Sequence, residues 1–553
     1  MSSGIFGIGS SALQAYQQAL TVTGHNIANA ANEDYSRQRV ELEVRNPQFL
    51  GGNYIGQGVD VADIRRIADQ FVQTQLLNNT AGAGRQAVYY EYAERIDNLL
   101  ADPEAGLSPA LQKFFAAVED VANDPTSTAA RQVLLSEGQS LADRFAYLQR
   151  SVEDQRQLVE GQIGSTVEEI NGLADGIALL NRQIAEGIGQ SGGRPPSDLL
   201  DQRDAMLGRL AELVAVQTLE QDDGSVNVLI GNGQSLVVGS ESTTLSAQAL
   251  GGDPARMEIA VLSHNSAVRV TDLLTGGRLG GLLDVRREVL DPAQNTLGRT
   301  AVGMALAFND IHAQGVDLDG VAGGEFFRLP APEIFGATGN AGSGAPVLAY
   351  TDASALTTSD YRLSFTGTAW QLTRAGSSTP VATAAPGGIL SADGFELDLS
   401  GISGAAAGDR YDLRPTRAAA GGLAVALTDP RSIAAALPPD VAGQGVAGDN
   451  RNALALAGLA QERVLNGGTT SISASYGEMV ADIGVKTRQA KLSAEAQGRM
   501  LDASRAQRES TSGVNLDEEA ANLLRYQQAY QAAAQVVAVA GTLFDTLLMA
   551  VRR

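Results

Sequence analysis

The chain has 553 residues and a formal net charge of −23, from 40 basic and 63 acidic side chains. Such a polyanion repels nucleic acid and anionic lipid, so neither is expected as a partner. It contains no cysteine, which excludes disulfides, thiolate metal sites and thiol nucleophiles.

The first predicted element is a helix over residues 3–30. Phe6, Leu13, Leu20 and Ile27 recur every seven residues along it, with small residues at Ala12, Ala15 and Ala19. A seven-residue apolar repeat gives a helix one narrow seam that needs a partner helix. Asn29 to Asp34 ends it, since Asn and Asp favour turns. Val40, Leu42 and Val44 alternate with charged residues and predict a strand, Gly51-Gly52 a turn, and Val59 to Ile64 a second strand. The first basic residue is Arg37, so no Sec-type leader is expected.

From residue 65 the pattern is helical, punctuated by Pro103 and Pro125. Leu141, Phe145, Leu148, Val152, Val159, Ile170, Leu173, Ile177, Leu180 and Ile184 then mark one proline-free helix, Ser127 to Ile188. Unbroken, it would be about 90 Å long, with Gly161, Gly164 and Gly172 as candidate kinks. A rod of this length suits a filament subunit better than an enzyme. A helix over Ser197 to Ala215 follows, then a period-two region: a hairpin through Gly231-Asn232-Gly233 and strands near 257–261 and 268–270. Helix returns over Gly280 to His312, a second β region spans 345–416, and nearly everything from Asn450 is helical. In that last stretch Leu523, Tyr530, Val537, Phe544 and Val551 repeat every seven residues, with Tyr526, Ala533, Ala540 and Leu547 offset by three. Ala532 to Val551 is long enough to span a bilayer, but Gln535, Thr542 and Asp545 interrupt it, so burial against protein is expected.

Two seams at opposite termini predict an out-and-back chain. The expected class is α+β, discontinuous and multi-domain, with a long helical coiled-coil stalk formed by the N- and C-terminal regions and an inserted β-rich domain. The expected division is 1–45 with 505–553 as a terminal coiled coil, 46–200 with 277–325 and 430–504 as the stalk, and 201–276 with 326–429 as the β-rich outer domain.

Two terminal segments carry a resemblance. ALTVTGHNIANAANEDYSRQR (19–39) resembles the N-terminal signature of flagellar rod, hook and hook-associated axial proteins, and SGVNLDEEAANLLRYQQAYQAAAQVVAVAGTLFDTLL (512–548) is similar to their C-terminal signature. IDNLLADP (96–103), DLLDQRD (198–204) and LGGLLDVRREVLDPAQNTLG (279–298) resemble stalk segments of the junction subunits in that family; the β regions carry no such likeness. The family often has Gly where Asp34 stands, which suggests a left-handed residue there. The resemblance implies a non-enzymatic subunit of the bacterial flagellum, secreted through the flagellar type III channel to the distal end of the hook. It implies as partners further copies of the chain, the hook protein, the second hook–filament junction protein and a cytoplasmic export chaperone. Phe6, Leu13, Leu20, Asn26, Ile27, Asn29, Tyr35, Leu523, Tyr526, Tyr530, Val537, Phe544 and Leu547 are the expected assembly residues. Leu523, Tyr530, Val537 and Phe544 double as chaperone anchors, since an exposed amphipathic helix needs cover. Alternatives are a hook protein or flagellin-like subunit, or an axial protein whose β insert is an enzyme or adhesin.

Other motifs carry less. Gly7-Ile-Gly9-Ser-Ser-Ala12 loosely fits a dinucleotide fingerprint but lacks the preceding strand, so close helix packing is expected and no cofactor. Asp317-Leu-Asp319-Gly320 fails the calcium-loop register, since Phe326 would fall at the bidentate position, and reads as a turn with no metal. His264 and His312 read as surface or packing residues, and Glu168-Glu169 and Glu518-Glu519 as solvated faces. The basic stretch from Lys486 to Arg508 reads as a solvated face or as an intersubunit or stalk-to-stalk contact with the acidic Glu153–Glu169 region.

Overall fold

Local sequence sets where the first helix stops. In the computed structural model, which describes residues 2–50, 53–249, 252–263, 266–438 and 448–551, α1 runs Ser2–Ala28. Asn29 closes it by donating its side-chain amide to the His25 carbonyl at 3.0 Å. β1 (Gln38–Val44) then pairs antiparallel with β4 (Val59–Arg66), as the alternation predicts. Between them lies a hairpin of β2 (Gln48–Leu50) and β3 (Asn53–Ile55) that the pattern did not signal. The Gly51-Gly52 turn and His264 lie outside the described residues.

The stalk is built from α2 (Gln70–Leu100), α3 (Leu107–Asn123), α4 (Thr128–Gln190), α5 (Ser197–Leu213), α6 (Gly277–Val285), α7 (Asp291–Gln314), α8 (Ala419–Gly422), α9 (Arg451–Gly458) and α10 (Ile472–Ser512), followed by α11 (Leu516–Val551). α4 is one element of 63 residues, about 95 Å at 1.5 Å per residue, and it passes through Gly161, Gly164 and Gly172 without interruption. Its buried stripe contains Leu141, Phe145, Leu148, Val152, Val159, Ile170, Ile177, Leu180 and Ile184; Leu173 is partly buried. The helix expected over 280–312 contains a π-helical stretch, Arg286–Leu290, between α6 and α7. Pro292 follows it and has no N–H for the Glu288 carbonyl. Lys486 Nζ from α10 donates to that carbonyl instead, at 3.0 Å.

The two β regions pack differently. Val216, Val226, Val228, Ile230, Leu236 and Ile259 of the first belong to the same core as α4 and α5. Asn181 of α4 fastens it further, donating to the Val226 and Gly239 carbonyls and accepting from Val226 N–H. In the second region a five-stranded antiparallel sheet runs Glu333–Gly336, Arg410–Arg414, Tyr361–Phe365, Trp370–Arg374, Pro380–Ala384, beside a three-stranded sheet Val347–Tyr350, Phe395–Asp398, Ile389–Ala392. These enclose a core of their own around Trp370, Leu363, Phe395, Leu397 and Leu413. Grouping 201–276 with 326–429 as one outer domain is therefore revised. The first β region is part of the stalk, only the second is a separate unit, and a boundary at 200/201 would cut α5.

Buried ions join that unit to the stalk. Asp253 sits between Arg156 of α4 and Arg414 of the five-stranded sheet. Asp291 accepts from Arg256 and Arg417, both at 2.8 Å, and Arg417 also reaches Asp360 at 2.5 Å. Burial alone would raise the Asp253 and Asp291 carboxyls; Arg414 and Arg156, and Arg417, Arg256 and Arg156, respectively hold them below the usual carboxylate range. Burial raises Asp360, which Arg417 only partly offsets. Carboxylates held low contribute stability above their ordinary pKa of about 4 and lose it as pH falls below that value; Asp360 works in the opposite sense and blunts the effect. The buried Trp370 reports the outer unit. Its urea midpoint should fall between pH 6 and pH 3, and Asp253→Ala, which leaves the buried Arg156 and Arg414 only longer contacts to Glu153 at 3.6 Å and Glu333 at 3.8 Å, should cost about 3 kcal/mol at neutral pH. Chemical denaturation followed by tryptophan fluorescence checks both.

Candidate assembly site

α1 and α11 pack against each other antiparallel, so Gly9 lies by Val537 while Asn26 lies by Glu519. The approach is close at the far end: a Cβ on Gly9 would come within 2.7 Å of Val537 Cγ2. The GxG of the sequence thus serves helix packing. The buried stripe of α1 is Ser11, Ala15, Ala19, Val22 and Asn26, and that of α11 is Glu519, Ala533 and Ala540. Tyr16 and Tyr526 bring their rings to 6.5 Å between them. The seven-residue series falls beside this stripe. Leu13, Leu20, Leu523, Tyr526 and Val537 are half-buried at its edges. Phe6 is 53% exposed, Ile27 37% and Phe544 53%, and Tyr530 is exposed too. α1 and α11 meet through their small residues, and the larger apolar side chains are left at the edge or facing outward.

At the stalk end the small-residue stripes terminate in a polar node. Asn26 is 1% exposed and fully engaged. Its Nδ2 donates to the Gln38 carbonyl at 2.8 Å and to Glu519 Oε2 at 3.0 Å, and its Oδ1 accepts from Gln38 N–H and from the Tyr35 hydroxyl. Arg37 donates from Nε to Glu519 Oε1 at 2.8 Å and from Nη1 to Glu518 at 2.6 Å. Its backbone N–H donates to Ser512 at the end of α10. Gln38 Nε2 reaches Asp198 at 2.9 Å, Ser36 N–H reaches Asp201, and Arg66 at the end of β4 pairs with Asp201 and Asp204. Local capping aims the carboxylates: Asn515 Oδ1 accepts from the Asp517 and Glu518 N–H groups and starts α11, and acidic side chains in that first turn suit the helix dipole. Gly513 permits the break before it, since a Cβ there would meet the Glu509 carbonyl at 2.3 Å.

The charges are matched. Burial, then Asp201, Asp198 and Glu519, push the Tyr35 hydroxyl upward, so it remains a donor. Burial lifts Asp201, while Ser36 and Arg66 pull it back. Burial opposes the Arg37 cation, but Glu518 and Glu519 outweigh it.

Arg37, Gln38, Asp198, Asp201 and Glu519 were absent from the expected site. Glu519 is 2% exposed and ion-paired, so the solvated-face reading fails for it; Glu168 and Glu169 are exposed as expected. The signal was available: Glu519 stands seven residues before Tyr526, on the stripe of Ala533 and Ala540. Asp34 does not have a positive φ; its N–H donates to Asn32 Oδ1 and the turn closes without a left-handed residue there. Of the basic stretch, Lys486 pairs with Asp482, and Arg508 donates to the Glu33 carbonyl. Glu160 is taken by Arg286, so within one chain the basic stretch does not meet that carboxylate. His312 is buried, donor and acceptor both engaged, and burial lowers its pKa. Asp317 Oδ1 accepts from Asp319 and Val321 N–H groups in a plain turn.

A chain whose termini pair, whose middle returns as a long stalk and whose β unit projects from it is a filament-type axial subunit. Residues 93–327 match the flagellar hook-associated protein FlgK helical domain, 335–415 the flagellar hook-associated protein 1 D2-like domain, and 505–549 the flagellar basal body rod FlgEFG protein C-terminal family. Flagellar hook-associated protein 1 of Escherichia coli K12 is 36% identical over 541 residues, covering 97% of this chain and 98% of the relative. That of Salmonella typhimurium LT2 is 37% identical over 547 residues, with the same coverage, and that of Bacillus subtilis 26% over 576. The solved flagellar hook junction protein FlgK from Burkholderia pseudomallei superposes with a TM-score of 0.72 at 27% identity, over 79% of this chain and all of that one. The chain belongs to the flagellar hook-associated protein 1 family. It is a structural subunit of the bacterial flagellum with its role at the hook–filament junction.

Arg37→Ala leaves Glu519 buried and half-satisfied, a loss of about 3–5 kcal/mol, whereas replacing both partners with Met is close to neutral. Amide exchange should show α1 and α11 losing protection in Arg37→Ala and regaining most of it in Arg37→Met with Glu519→Met, with α4 unchanged throughout.

Proposed function

We propose that the chain is secreted through the flagellar type III channel, seats at the distal end of the hook and bridges the hook protein to the second junction protein. The observation that carries this is the pairing of α1 and α11, which leaves Phe6, Tyr530 and Phe544 exposed beside a small-residue contact. An apolar edge on a helical pair is suited to further copies and to neighbouring axial subunits. The role is mechanical rather than catalytic, supported by a node whose polar groups are engaged with one another. The absence of cysteine suits a chain that travels unfolded. Electron microscopy of a deletion strain tests the placement: hooks should end bare, with filament subunits shed into the medium. Filaments of normal length on those hooks would refute it.

Leu523, Tyr530, Val537 and Phe544 serve as the chaperone anchors before assembly. Leu523 and Val537 are half-buried in the paired state, so a chaperone that grips all four holds α11 before α1 can close on it. Phe544→Asp should then reduce chaperone capture and secretion about tenfold, as expected for an anchor of a helix-in-groove contact. Unchanged capture in a pull-down from cytoplasm would place the chaperone elsewhere.

A further inference from the structure

A net charge of −23 makes approaching copies of this chain repel unless local surfaces compensate. One such surface lies on α10. Val485, Arg488, Leu492 and Arg499 are all exposed and fall within about 60° of each other around the helix at 100° per residue. Among the described residues neither arginine has an ion pair, while Lys486 and Arg508 are engaged within the chain.

A second surface has the opposite sign. On α4, Asp154, Leu158, Glu168, Glu169 and Leu179 are exposed, spread over about 100° around one line along the helix. Gly161 and Gly172 lie on that line, and a Cβ on either would meet nothing within 4 Å. Mid-helix glycine costs about 1 kcal/mol relative to alanine. Nothing inside the chain requires these two, and close approach of an outside backbone would.

The two surfaces stand at one height along the stalk. Lys486 of α10 meets the Glu288 carbonyl, and Arg286, in the same π-helical stretch, meets Glu160 of α4. α10 packs on α2 and α7, and α4 packs on α3, α5, α6 and α7. Each surface repels its own copy and complements the other. Complementary patches at different places on one chain make a head-to-tail contact, which closes into a ring or continues as a helix.

We infer that the occupant of the α10 surface is the α4 surface of a second copy, so that Arg488 and Arg499 meet Glu168, Glu169 and Asp154 across a seam of Leu492, Val485 and Leu158. This inference rests on the reading of the chain as an axial subunit. The cysteine-free sequence makes the test clean. Leu158→Cys with Leu492→Cys is expressed in place of the native chain, and isolated hooks are treated with a short bis-maleimide. Covalent multimers beyond the dimer are expected from the double variant and not from either single one. No multimers, or dimers only, from hooks whose tips carry the variant would overturn the contact while leaving the axial reading intact. Absence of the native chain from hook tips would instead sink that reading. Charge exchange gives an independent arm. Arg488→Glu with Arg499→Glu should cut tip incorporation about tenfold without moving the thermal midpoint of the monomer, and adding Glu168→Arg with Glu169→Arg should restore most of it. No loss, or a loss that is not restored, would overturn the inference.

Discussion

The structure depends on one buried polar contact, Asn26 with Glu519, held in place by Arg37. Two helices of small residues can slide along each other, because Ala against Ala offers little to distinguish one register from the next. Asn26 keeps its bonds to Gln38 and Tyr35 in any register, but its second amide hydrogen and the carboxylate of Glu519 meet only in this one, so slipping by a turn would move that buried carboxylate away from both Asn26 and Arg37 at about 1–3 kcal/mol. A polar pair of this kind adds little net stability, but it selects a register. Since those helices are separated by almost the whole chain, the choice of register at the node also fixes how the stalk leaves the paired termini.

The node ties three separate stretches of sequence together. Asn26 to Gln38, Asp198 to Asp204, and Asn515 to Glu519 are distant in the chain and meet within hydrogen-bond reach. The stalk beyond it is stiffened by the unbroken α4, and the outer β unit is seated on that stalk by the buried ions around Asp253 and Asp291. Rigidity thus runs from the paired termini to the outer unit without a flexible linker among these contacts, which suits a structural subunit of a filament.

Much of this was legible from the residues. The α4 stripe, the hairpin at Gly231 to Gly233 and the alternating Tyr361/Leu363/Phe365 strand follow directly from period and turn chemistry, because each element's burial is set by its own side chains. What the residues did not disclose depends on partners far away in sequence. Glu519 reads as a solvated acid until Arg37 is placed beside it. The π-helical stretch before Pro292 depends on Lys486 of another helix to satisfy the Glu288 carbonyl. The two β regions look alike as patterns, and only packing shows that one shares the stalk's core while the other has its own. The seven-residue series located both helices that pair. It overstated their large apolar members, because close approach at Gly9 favours the small ones.

The register claim can be measured directly. Gly9→Cys with Val537→Cys places the only two thiols of the chain on facing turns, and their disulfide should form efficiently under mild oxidation. Replacing Asn26 and Glu519 together with Leu removes the polar selection while keeping the helices apolar. The 9–537 crosslink should then drop severalfold, with new crosslinks appearing when the second cysteine is moved one heptad away to position 530 or 544. An undiminished 9–537 yield in the Leu pair would contradict the claim that these two residues set the register.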